Sequence, residues 1–179
     1  DSVNDNLKYA RTVLGSWTTQ PVDSTGDVGQ YSSITVTTTG LARISYYDAT
    51  NGNLRYAAHN GANWVLQTVD DTGVTGLYTS IALGASERPA ISYYDATNGH
   101  LRYANLDSST WQKRTVDTDN LTGQGTSLVM TADNRPRISY FDAEDGNLKY
   151  AAYVASTDSW TLTNVATNGV LGFYNSIDL

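Results

Sequence analysis

Aspartates recur along this chain at a constant step of 47 residues: Asp1, Asp48, Asp95 and Asp142. Evenly spaced carboxylates have two chemical uses. They can form a ring of ligand-binding acids, or they can cap turns by accepting backbone N–H groups in Asx-type geometry. Asp48, Asp95 and Asp142 each precede a turn sequence, so both uses are open to them. A second acidic group, Asp117-Thr118-Asp119-Asn120, offers hard oxygen ligands, as do Asp23 and Asp70-Asp71. Calcium needs 6–8 oxygens and the EF-hand spacing is absent. The expectation is no cofactor, with calcium at Asp117 and Asp119 as the one candidate cation.

Catalytic groups are sparse. The two histidines, His59 and His100, fall at unequal positions and have no matched nucleophile. Arg43, Arg88, Arg135 and Arg137 read as surface residues rather than a carboxylate-holding cluster. No catalytic residue is assigned, and the chain is not expected to be an enzyme. Asn120-Leu121-Thr122 is an N-glycosylation sequon, which makes Asn120 a modification candidate.

Composition excludes other classes. The net charge is −7, which repels phosphate backbones and speaks against a nucleic-acid partner. No apolar run approaches the length of a membrane span. Cysteine is absent, which removes disulfides and thiolate-ligated metals. Thirteen Tyr and four Trp, with abundant Thr and Ser, favour strands over helices.

The step of 47 is an internal repeat. Residues 44–57 (ISYYDATNGNLRYA) and 91–104 (ISYYDATNGHLRYA) match at thirteen of fourteen positions, and 138–151 reads ISYFDAEDGNLKYA. Trp17, Trp64, Trp111 and Trp160 keep the period, with two extra residues before the last. Each unit divides into four short strand-like runs, and Asn51-Gly52, Asn98-Gly99 and Asp145-Gly146 are hairpin signals. The predicted fold is an all-β propeller of four-stranded antiparallel blades. The expected divisions are a partial blade 1–30, blades 31–77, 78–124 and 125–172, and a closing or partial strand 173–179. The chain is nine residues short of four 47-residue units. It therefore reads as an excerpt of a longer array, or as an incomplete sheet that accepts a strand from another chain. The tryptophans are expected between blades as core. Tyr31, Tyr78 and Tyr174, placed where the chain enters each first strand, are the ligand-binding candidates alongside Asp48, Asp95 and Asp142. Gly125 interrupts that tyrosine series.

The segment ISYYDATNGNLRYA…W…TVDDTGVTGLYTSIAL resembles the tandem propeller-like repeats, of approximate form SYYDxTNGDLKYA, found in secreted and cell-surface proteins of bacteria and archaea. It is similar, more loosely, to propeller lectins and to the Asp-box hairpins of sialidase-type propellers. Ser45, Asp48, Gly52 and Tyr56 are spaced more widely than an Asp-box. The resemblance implies a secreted or cell-surface location and no particular chemistry. The function expected is a non-enzymatic module for adhesion, assembly or display, with protein or glycan partners at a surface and possible self-association through an open strand edge. The alternative is a glycan-binding propeller lectin. A glycosidase-type enzyme ranks third.

Overall fold

The computed structural model describes residues 4–179, so Asp1 lies outside the described residues. The chain is all-β. A two-stranded hairpin, β1 (Leu7–Val13) and β2 (Ser16–Asp23), comes first. Three four-stranded antiparallel sheets follow, each ordered as in the sequence. The first holds β3 (Val28–Val36), β4 (Ala42–Asp48), β5 (Asn53–His59) and β6 (Trp64–Asp70). The second holds β7 (Thr75–Leu83), β8 (Pro89–Asp95), β9 (His100–Asp107) and β10 (Thr110–Asp117). The third holds β11 (Thr122–Met130), β12 (Pro136–Asp142), β13 (Asn147–Val154) and β14 (Ser159–Ala166). The only helical turn among the described residues is the 3-10 segment Ala85–Glu87, and no helix among them is long and apolar enough to cross a membrane.

Successive sheets stack through their first strands, β3 against β7 and β7 against β11. Serine hydroxyls stitch these strands together: Ile81 N donates to Ser33 Oγ at 3.2 Å, and Leu128 N donates to Ser80 Oγ at 3.0 Å. The core is correspondingly divided into three layers, one per junction. Tyr46, Tyr93 and Tyr140 are each fully buried in one layer. Their neighbours Tyr47, Tyr94 and Phe141 face the other way, because adjacent strand residues point to opposite sides. Tyr94 and Phe141 are also buried, whereas Tyr47 is half-buried.

The strands begin earlier than the repeat divisions 31, 78 and 125. Val28, Thr75 and Thr122 already pair with Asp48, Asp95 and Asp142. Two register shifts then intervene in each first strand before pairing resumes at Ser33, Ser80 and Ser127. Tyr31, Tyr78 and Gly125 sit inside these bulges at φ 52, 54 and 56°. The extra residues of a bulge need that left-handed backbone, which glycine adopts freely and tyrosine adopts at a cost of about 1–3 kcal/mol. The tyrosines thus lie within the first strands rather than ahead of them.

The expected closing strand 173–179 is not formed. The segment nonetheless follows the path of a first strand. Leu171 N donates to Gly146 O at 2.9 Å, as Thr75 N does to Gly52 O and Thr122 N to Gly99 O. A Cβ on Gly172 would stand 2.9 Å from that of Leu148, repeating the close approach of Gly76 to Leu54 and Gly123 to Leu101. Ile177 N donates to Ser127 Oγ at 3.2 Å, the same stitch made by Ile81 and Leu128. Among the described residues no strand pairs with it, and without a ladder partner an extended segment is not a strand.

Candidate functional site

The evenly spaced aspartates end the second strand of each sheet and are buried at 0, 1 and 3 % exposure for Asp48, Asp95 and Asp142. Asp48 accepts Asn51 N at 3.0 Å and Asn51 Nδ2 at 2.9 Å, and Asp95 accepts the same pair from Asn98. Asp142 accepts Glu144 N and Asp145 N. These carboxylates hold the hairpin turns and face the protein interior, so the turn-capping use describes them and the ring of ligand-binding acids does not.

A second set of aspartates completes a buried polar knot at each junction. Tyr46, Tyr93 and Tyr140 donate through their hydroxyls to Asp23, Asp70 and Asp117 at 2.6, 2.7 and 2.7 Å. A cation from the third strand bridges the two acids. Arg55 lies 3.6 Å from Asp23 and 3.4 Å from Asp48, and Arg102 lies 3.1 Å from Asp70 and 3.6 Å from Asp95. Lys149 lies 2.7 Å from Asp117, 2.8 Å from Asp119 and 3.7 Å from Asp142. The Lys149 ammonium therefore occupies the space between the two calcium candidates, Asp117 and Asp119, and supplies the positive charge that a metal would have brought. No group of three or more potential ligands poised for a metal is present among the described residues.

Burial alone would raise the pKa of Asp23, Asp70 and Asp117. Hydrogen bonds from Tyr46, Tyr93 and Tyr140, from neighbouring threonines and from Lys149, with the Arg55 and Arg102 charges, outweigh it and hold all three below the ordinary aspartate value. Burial and the same bonds push the Tyr46, Tyr93 and Tyr140 hydroxyls up, so they remain donors at any physiological pH. A carboxylate with a depressed folded pKa contributes stability above its unfolded pKa and loses it as pH falls through the folded value. The thermal midpoint is expected to fall steeply only below about pH 4. A melting series from pH 7 to pH 2 checks this, and a midpoint already falling between pH 7 and pH 5 would contradict it.

The tyrosine candidates form part of an aromatic row at the end of the molecule that carries the hairpin turns. Tyr31 and Tyr78 have ring centroids 4.7 Å apart, flanked by Tyr47 and Tyr94 at 6.3 Å each. Gly125 has no ring to continue the row, and a Cβ there would collide with the Phe173 carbonyl oxygen. Phe173 supplies the ring instead, 6.0 Å from Tyr78 and 5.6 Å from Phe141. Tyr174 stands beside it, 95 % exposed. The row thus brings Tyr31 and Tyr78 together and reaches Tyr174 through Phe173. Asn120, the sequon residue, is exposed on the turn between β10 and β11.

A cavity of about 220 Å³ opens at the opposite end, between the second and third sheets. That is room for about seven waters at ~30 Å³ each, the scale of a single sugar ring. Tyr103, Tyr153 and Trp160 wall it, with Arg88, Arg114 and Asn105 among the polar lining. Tyr103 and Tyr153 each meet Trp160 edge-to-face at 5.5 Å. Burial pushes the Tyr103 hydroxyl pKa up. Arg114 sits 5.9 Å over the Tyr153 ring and pairs with Asp158, and Arg88 pairs with Asp107 at 3.0 Å.

The tryptophans are only partly core. Trp64, Trp111 and Trp160 pack at the rims of the three layers, and Trp17 is 73 % exposed. Arg88 and Arg135 are exposed as read from the sequence, but Arg43 and Arg137 are half-buried and donate to the carbonyls of His59 and Tyr153 at 2.8 and 3.2 Å. The two histidines stay apart in role: His59 packs its ring 5.1 Å from Trp64, and His100 opens β9 half-buried. Sequence reading missed the cavity because its residues look like core and surface residues of a repeat. The signal available was departure from the repeat: position 114 is Arg where positions 20 and 67 are Gln, and position 153 is Tyr where positions 59 and 106 are His and Leu.

No family model matches the chain, and no curated protein matches it. Among solved structures the fold is similar to that of a fucose lectin from Kordia zhangzhouensis in complex with methyl-fucoside, with a TM-score of 0.53 and 15 % identity. The likeness covers 76 % of this chain and 99 % of the lectin chain. At that identity it concerns the fold.

Proposed function

We propose that this chain is a carbohydrate-binding module, a lectin, whose sheets are the blades of a β-propeller. The observation that carries the reading is the aromatic-walled cavity between the second and third sheets, lined by Tyr103, Tyr153 and Trp160 beside Arg88, Arg114 and Asn105. Rings beside a few fixed polar groups are how proteins orient small polar ligands. The fold shared with a fucose lectin bound to methyl-fucoside supports a sugar as occupant. The stacked first strands and the repeated 47-residue unit support the propeller arrangement. Adhesion or display at a cell surface would be the use of such a site in a secreted repeat protein.

A glycan array followed by titration calorimetry on the best binder tests this reading. Trp160→Ala is expected to weaken binding about tenfold to a hundredfold, from the lost ring contact. Tyr174→Ala, at the other end of the molecule, should leave affinity unchanged. An array without a single saturable hit at high protein concentration would sink the reading.

A further inference from the structure

We propose that the cavity between the second and third sheets selects a carboxylate-bearing sugar residue, of the uronic or sialic acid class, over a neutral one. This rests on the carbohydrate reading above and adds the charge of the ligand to it.

The three junctions are built from the same repeat, so their differences are informative. Positions 20, 67 and 114 are equivalent, as are Trp64, Trp111 and Trp160. At the middle junction Trp111 Nε1 donates to Gln67 Oε1 at 2.9 Å, and the indole is satisfied within the protein. At the first junction both Trp64 Nε1 and Gln20 Nε2 are buried without partners. Gln20 and Trp64 stand at the repeat positions of Gln67 and Trp111, and Gln20 still carries an amide oxygen that can accept, since the two amide atoms exchange places on a half turn. The third junction has no such remedy. Arg114 replaces the glutamine, and a guanidinium has five donors and no acceptor. Trp160 Nε1 is therefore left without a partner beneath a cavity whose charged lining groups also only donate.

The charge of the site runs against that of the protein. The chain carries a net charge of −7, yet the charged residues lining this cavity are Arg88 and Arg114. Their partners, Asp107 and Asp158, hold them from outside the lining with side chains 57 % and 64 % exposed. Exposed pairs of this kind are weak, so a ligand carboxylate can replace either aspartate at small cost. Arg114 is already positioned for that exchange by the Tyr153 ring beneath it. A hydroxyl-only sugar brings no negative charge to the two guanidinium groups of the lining. A carboxylate offers acceptors alone and takes the charge-assisted, two-pronged bond that arginine makes best.

The test compares methyl glucuronoside with methyl glucoside, which differ by a carboxylate in place of a hydroxymethyl group, with sodium acetate as a third ligand. Titration is followed at low salt by the indole N–H resonances of the full chain. The glucuronoside is expected to bind at least tenfold more tightly than the glucoside and to shift the Trp160 resonance alone among the indoles. Arg114→Gln restores the residue of the other two junctions and gives Trp160 an acceptor, so it should abolish the preference. Arg88→Met, at an exposed position, should reduce it several-fold and provides a second variant. Equal binding of the two glycosides would overturn the proposal and leave the carbohydrate reading standing. Failure of these and every arrayed sugar to bind would overturn both. Acetate binding as tightly as the glucuronoside would overturn the claim that a sugar acid is selected.

Discussion

Arg102→Leu is expected to destabilise the protein by about 3–5 kcal/mol, the usual cost of removing one partner from a buried ionic cluster. Arg102 is the cation that bridges Asp70 and Asp95, whose side chains are 0 and 1 % exposed. Leucine would leave two acids facing each other, with Asp70 keeping only Tyr93, Thr72 and Lys113 as donors. At ~2–4 °C per kcal/mol for a domain of this size, the thermal midpoint should fall by about 6–20 °C. Arg102→Lys is the control. Lys149 fills the equivalent place in the third sheet and reaches both of its acids. The lysine variant should therefore lose far less than the leucine variant. Thermal melts followed by circular dichroism measure both. A leucine variant within ~1 kcal/mol of the parent would show that the cluster is neutral to stability.

The second large effect comes from a residue with no side chain. Gly76→Ala is expected to cost about 2–6 kcal/mol. Gly76 has φ 101°, and an added Cβ would lie 2.7 Å from the Leu54 Cα and 2.8 Å from its Cβ. The substitution carries the backbone strain of an L-residue at that φ, about 1–3 kcal/mol, and an overpacking penalty of about 1–3 kcal/mol more. Gly61→Ala separates the two. Gly61 has φ 100° and nothing within 4 Å of its would-be Cβ, so it carries the strain alone. The difference between the two variants in urea unfolding is the packing contribution, and equal losses would mean that the first strand has room to move away from Leu54. The close approach matters because it is the contact by which each first strand tucks against the preceding sheet. It recurs at Gly29, Gly123 and Gly172.

Much of this architecture was legible in the sequence because it depends on local chemistry repeated at a fixed step. A hairpin follows from Asn98-Gly99, since those residues accept the backbone that a tight turn demands, and β8 and β9 flank that turn with Asp95 paired to His100. The four-run unit became a four-stranded sheet three times over. The turn-capping use of Asp48, Asp95 and Asp142 was equally accessible, because an Asx cap involves neighbours two and three residues away. The bulges were harder. Tyr31 and Tyr78 read as residues ahead of a strand, because tyrosine at positive φ goes against its local preference and only the pairing on both sides enforces it.

The repeat by itself determined the order of strands within each full unit, the turns, and the aspartates that hold them, since each of these is an arrangement of residues close in the chain. Only the tertiary structure decided which copies differ in use. The calcium candidates Asp117 and Asp119 acquired Lys149, thirty residues beyond Asp119, as their cation. The segment 173–179 took the path of a first strand without becoming one, because a strand is defined by a neighbour and not by its own residues. The indole of Trp160 was left donating while that of Trp111 was satisfied, because stacking one sheet on the next sets residue 67 beside 111 and closes the second and third sheets around a cavity that holds both Arg114 and Trp160. Contacts between sheets join residues more than twenty positions apart, and no local preference encodes them.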